Sequence, residues 1–404
     1  MHSASHGDRF LRTMTSAPVT PCINEALPQE VFGVIFEEHA KLEWKAPLID
    51  GQVCRQWRQT ILCSPCAWTH LRIVQNFALA PSKLHQWLDR SGSAPLHIQA
   101  INWTHGVEKV LNQYCKRIQT LALRRHHVAF LESRSFPILQ SLTIDAWNTM
   151  SPVIRWSACG AMPALRSLRA SYISMGALPS NIFPPLRVLA LSTVDDCGCI
   201  IRNSYHSLTS LMLGRLSLQD TSLSLEFPSL RFLSLFKVKN IKHRMKVPAL
   251  TTYHESDRME RESFSVSLPS LIEYGIYRLN DKSPFNITKL HQCYPSISRL
   301  SVRAHPSNVK LFLHSLSSQP TALPMLRILA VDVVKNTTEY SGEDKISMMI
   351  DVSVRNMASN VKMELSFDGM VRFPLYFGNV RVYVNKGYSK LTSTLRTRIF
   401  LIED

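Results

Sequence analysis

From residue 115 onward the chain repeats one pattern of apolar positions. Its fullest form is apolar-Pro-x-Leu-x-x-Leu-x-Leu, at Phe136 to Ile144, Phe183 to Leu191, Phe227 to Leu235 and Leu323 to Val331. Met162-Pro163, Val247-Pro248, Leu268-Pro269 and Tyr294-Pro295 keep the proline, while Cys115 to Leu123 and Tyr205 to Leu213 keep only the apolar places. The ten starts lie 20 to 29 residues apart. Leu-x-Leu alternates with period 2, so both leucines face one side of a short strand. One unit cannot bury that side alone, whereas stacked units can. A proline ahead of the strand costs no ladder bond, because pairing has not begun there. The pattern therefore predicts a parallel sheet of stacked strands.

The first hundred residues follow a different rhythm. Residues 1–22 show neither period and are expected to be a disordered leader. Leu27-Pro28 opens a segment in which Val31, Val34 and Ile35 recur at helical spacing, with Pro28 suited to a first helical turn. Val53, Trp57 and Ile61 are placed four apart on one face of a second helix, which Ser64-Pro65 ends. Between them Pro47 and Gly51 interrupt the linker Lys41 to Gly51. Lys83 to Leu88 reads as a further helix, and Pro95 to Ile98 as extended chain.

Two families are suggested. Leu27-Pro28-Gln29-Glu30-Val31, Ile35-Phe36, Val53-Cys54-Arg55-Gln56-Trp57-Arg58, and Pro65 followed by Trp68 resemble the F-box, in particular the F-box-like family expanded in mushroom-forming fungi. The repeat period lies in the leucine-rich-repeat range, although the usual Asn position reads His126, Trp147, Val194, Leu216 and Val238, so the repeats are irregular. The implied fold is α+β and multidomain: a three-helix F-box module followed by an irregular α/β leucine-rich-repeat solenoid with a parallel sheet. The expected boundaries are a leader 1–22, F-box 23–74, linker and N-terminal cap 75–114, repeats 115–340 and C-terminal cap 341–404. F-boxes dock on the small adaptor of cullin-RING ubiquitin ligases. The resemblance thus implies an adaptor-binding surface that includes Leu27, Pro28, Val31, Ile35, Val53, Cys54 and Trp57, with some of these, Trp57 foremost, filling the module's own core instead.

Composition sharpens this picture by exclusion. The chain carries 46 Lys plus Arg against 30 Asp plus Glu, a formal +16 that favours acidic encounter partners. Nine scattered cysteines follow no apolar signal segment, so the expected setting is reducing and intracellular, cytoplasmic or nuclear, with no membrane span. No phosphate loop, nucleophile elbow, zinc-protease helix or dinucleotide fingerprint is present, and the chain is expected to be no enzyme and to need no cofactor. Cys63-x-x-Cys66 lacks the further ligands that structural zinc requires.

Binding is the better-supported role. Residues between the strand leucines line the other face of the sheet, where Phe232, Phe236, Tyr277, Arg124, Arg169, Arg299 and Arg303 are the candidate substrate anchors. The run Lys242 to Lys246 has no interleaved aromatic, which places nucleic acid behind protein as a partner. The sequence therefore points to a substrate adaptor with ligase adaptor and cullin subunits as partners. A scaffold that keeps the repeats but lacks ligase docking is the first alternative, and a basic nucleic-acid-binding solenoid is the second.

Overall fold

The computed structural model describes residues 27–73, 81–132, 134–145, 161–174, 184–195, 198–215, 225–236, 238, 245–256, 268–277, 287–304, 306–317, 319, 323–333, 362–367, 374–377 and 380–383. The expected leader, residues 242–244 of the basic run, and Trp147 and Leu216 lie outside these. The architecture is mixed α/β with a long, open, mostly parallel sheet and eight α-helices among the described residues. Two compact units divide the chain: Met1–Arg72 with Leu79–His97, and Ile73–Ala78 with Ile98–Asp404.

The first unit holds α1 (Gln29–Leu42), α2 (Ala46–Asp50), α3 (Arg55–Leu62), a 3-10 turn at Pro65–Trp68, the start of β1 (His70–Ile73), α4 (Pro81–Arg90) and the start of β2 (Leu96–Ala100). Phe32, Phe36 and Ala40, four apart on α1, are buried with Ala46, Ile61, Ala67 and Trp68. The His39 imidazole lies 2.9 Å from the Asp50 carboxylate, joining α1 to α2, and the Arg58 guanidinium donates to the Gly51 carbonyl at 2.8 Å. Two expectations need correction here. The linker Lys41 to Gly51 contains α2, because Pro47 sits in its first turn, where its missing N–H is harmless. Val53 is not on a helical face with Trp57 and Ile61: Cys54 is extended and its Sγ caps the Trp57 N–H at 3.5 Å, so α3 begins at Arg55 and Val53 precedes it. The helix expected at Lys83 to Leu88 is α4, and it lies within this first unit. Its Trp87 indole donates to the Trp68 carbonyl at 2.9 Å, with ring centroids 4.8 Å apart.

In the second unit α5 (His105–Gln113) precedes β3 (Ile118–Arg124), β4 (Ser141–Asp145), β5 (Ser167–Ser174), β6 (Val188–Asp195), α6 (Gly198–Ser204), β7 (Ser210–Gly214), β8 (Leu225–Glu226), β9 (Phe232–Phe236), β10 (Met245–Lys246), β11 (Thr252–Ser256) and β12 (Glu273–Tyr277). Then follow α7 (Ile287–Cys293), β13 (Arg299–Ala304), α8 (Pro306–Ser317), β14 (Ile328–Val333), β15 (Lys362–Phe367), β16 (Pro374–Phe377) and β17 (Val380–Tyr383). The sheet runs β3-β4-β5-β6-β7-β9-β11-β12-β13-β14-β15-β17-β16, parallel except for the antiparallel β16–β17 pair, while β8 and β10 pair separately. Past the last recurrence of the phrase the sheet continues, with Leu329 paired to Met363.

Register is the physical content of the repeat. Leu121, Leu142, Leu168, Leu189, Leu211, Leu233, Tyr253, Tyr274, Leu300 and Leu329 stand side by side on successive strands, and all are buried. The apolar-Pro-x-Leu portion is a tight turn. Leu139, Leu165, Leu230, Leu250 and Leu326 each donate N–H to the carbonyl three residues back. Proline stands at the second turn position, whose φ its ring presets.

Candidate interaction surfaces

The helices of the first unit divide their apolar residues between two sides. Phe32 and Phe36 enclose the half-buried Trp57, at ring-centroid distances of 5.7 and 5.2 Å. Trp57 thus belongs to the module's core. Val31, Val34, Ile35 and Leu42 lie on the opposite stripe of α1 and are exposed, as are Leu48, Ile49, Val53 and Leu62. Ile35 is 44% and Val53 59% exposed, in a module whose core is already filled. Pro28 is exposed, Leu27 half-buried, and Cys54 is engaged as a helix cap. Large apolar side chains left in water along one helix stripe mark a candidate interaction surface.

The second surface is the face of the long sheet opposite the leucines. Strand alternation places Arg124, Arg169, Phe232, Phe236, Arg299 and Arg303 on it, and Tyr277 at the same register; the Tyr277 side chain lies outside the described residues. They do not form one cluster. Arg169 on β5 and Arg299 on β13 are separated by six strand steps, roughly 29 Å at about 4.8 Å per strand. Around β11 to β13 the charges are internally compensated. Glu273 lies 3.5 Å from both the His254 imidazole and the Arg299 guanidinium, and these two, His254 first, hold its carboxyl below the usual range. The His254 ring packs edge-on against Phe232, and Gly275 leaves the room it occupies, because a Cβ there would stand 2.4 Å from the His254 ring.

Neither a protein-family model nor a curated protein matches the chain. The two surfaces therefore carry the functional reading. Cys63 and Cys66 are both exposed, and the described residues contain no group of three or more His, Cys, Asp or Glu side chains placed to hold a metal ion. No helix among the described residues is long and apolar enough to cross a membrane.

One set of exposed side chains was missed in the sequence. Arg166, Arg187 and Arg231 occupy the same place one residue ahead of β5, β6 and β9. A signal for them existed: Leu-Arg-x-Leu recurs at Leu165, Leu186, Leu230 and again at Leu326. The position falls between the turn leucine and the strand, so strand alternation does not mark it.

Proposed function

We propose that the chain is an F-box-type substrate adaptor of a cullin-RING ubiquitin ligase. On this reading the first unit is the F-box and docks on the small ligase adaptor. The irregular leucine-rich-repeat solenoid of the second unit captures a protein substrate, and the chain performs no chemistry of its own. Capture raises the effective concentration of a target lysine near the conjugating enzyme. The observation that carries the reading is the division of apolar residues over Leu27 to Leu62. Phe32, Phe36, Trp57 and Ile61 serve the fold, while Val31, Val34, Ile35, Leu48 and Val53 are left facing water. A module of this size that exposes such a stripe is expected to be covered by a partner. The F-box-like residues fall on both sides of this division, as docking and self-support require.

The test is a pull-down of the full chain beside an Ile35→Asp/Val53→Asp variant, with mass spectrometry of the captured proteins. Both side chains are exposed, so circular dichroism and the melting temperature should be unchanged. Adaptor and cullin subunits should accompany the parent chain and be lost with the variant. Their absence from both would overturn the ligase reading and leave the scaffold alternative. Equal capture by both would move docking to another surface.

A further inference from the structure

We infer that the strand-start rim of the sheet between β5 and β9 binds an acidic, extended protein segment. Four consecutive rim positions are Arg166, Arg187, Thr209 and Arg231. They are tied by one backbone ladder: the Arg187 N–H donates to the Arg166 carbonyl at 2.8 Å, Thr209 to Arg187 at 2.8 Å and Arg231 to Thr209 at 3.0 Å. The side chains therefore start at successive strand spacings, about 4.8 Å between Arg166 and Arg187 and about twice that between Arg187 and Arg231. The Thr209 hydroxyl between them is turned onto the Arg187 carbonyl at 3.1 Å.

All three arginines are exposed, and so is Arg169, three residues beyond Arg166 and within β5. None of the four forms an ion pair among the described residues. On this face Asp145 accepts a hydrogen bond from Ser171 at 2.8 Å, and the side chain of Asp195 at the end of β6 lies outside the described residues. At β11 to β13, by contrast, Glu273 already answers His254 and Arg299.

Charge complementarity selects the occupant. Arginine forks pair with carboxylates in a fixed planar geometry. An extended chain presents alternate side chains about 6.8 Å apart, which flexible arginines at these spacings can meet. The face beside the rim carries Thr143, Ser167, Ser192 and Ser210, whose hydroxyls suit the polar backbone of such a segment. Single-stranded nucleic acid would need a run of aromatic platforms, whereas the aromatics described on this face from β4 to β9, Phe232 and Phe236, both stand on β9 at the end of the row. As a substrate class for the adaptor, the inference rests on the function proposed above; the binding event does not.

The experiment is a fluorescence-anisotropy titration of the full chain into a labelled peptide with glutamate at alternate positions. Binding should weaken steeply with salt. Arg166→Gln/Arg187→Gln/Arg231→Gln should weaken it by about tenfold or more, the sum of three modest exposed contacts. Arg327→Gln, the same repeat position far along the sheet, should leave it unchanged. As a second variant, Arg166→Glu/Arg187→Glu should transfer preference to a lysine-bearing peptide of the same design. No binding by the parent chain, equal losses with Arg327→Gln, or tighter binding of single-stranded DNA of matched charge would each overturn the proposal. Because the titration contains no ligase subunit, its failure is distinct from failure of the pull-down.

Discussion

His70 and His97 stack at a centroid distance of 4.4 Å and an interplanar angle of 11°, with the Thr69 hydroxyl 3.1 Å from the His70 ring nitrogen. Burial first, then His97 and Lys41, pushes the His70 imidazole down to about 4 from an ordinary value of 6.5. His97 is lowered by burial and by Lys41, while Glu37 opposes the shift for both and Glu38 for His70. Between these values the unfolded chain binds the proton that the folded chain refuses. The contribution is therefore complete above about 6.5 and is lost as the pH falls toward about 4. Melting temperatures of the full chain should drop between pH 7 and pH 5, and the drop should shrink in His70→Gln; an unchanged drop would place the sensitivity elsewhere. The sequence held no sign of this pair, since residues 27 positions apart meet only through the packing of the chain. The division of Val31 and Ile35 from Phe32 and Phe36 was equally hidden. A helix that is apolar on two sides reads alike whichever side faces a partner.

At the scale of elements, β11 breaks the rule its neighbours obey. Glu255 stands in the second inward column, between Leu235 on β9 and Ile276 on β12. Its carboxylate accepts hydrogen bonds from the Tyr253 hydroxyl at 2.8 Å and from the Tyr274 hydroxyl. Burial, and then Glu255 itself, keeps both phenols protonated far above their usual range, so both remain donors. The carboxylate and hydroxyls thus form a set in which each member satisfies another. Glu255→Leu restores the apolar column but strands two buried hydroxyls, and should cost about 1–3 kcal/mol. Adding Tyr253→Phe and Tyr274→Phe should recover most of that loss in urea unfolding. Stabilisation by Glu255→Leu alone would show that desolvating the carboxylate outweighs its bonds. In the sequence this copy of the phrase looked merely degenerate, because its hydroxyl partners come partly from the next strand.

For the whole molecule, the recurring phrase gave away the sheet: ten leucine-type positions in sequence became one column in space. The period could do this because parallel pairing at fixed register needs only equal phrases, whereas α4 carried an apolar stripe that says it is buried but not against what. The continuation through β15 to β17 lacked the phrase, and the β-rich stretch at Val380 to Val384, where β17 lies, gave a strand without its partners. The same topology sets how damage should spread. Leu211 on β7 is flanked in the sheet only by Leu189 on β6 and Leu233 on β9. Leu211→Ala leaves a cavity worth about 2–5 kcal/mol, felt first by those two strands. If stability is a chain of nearest-neighbour terms, hydrogen exchange of the full chain should show protection lost most at β6, β7 and β9 and least at β3 and β13. Uniform loss from β3 to β13 would instead make the sheet one cooperative block. In that case a ligand on the rim between β5 and β9 would protect strands it never touches, whereas a graded sheet would confine the protection to its own neighbourhood.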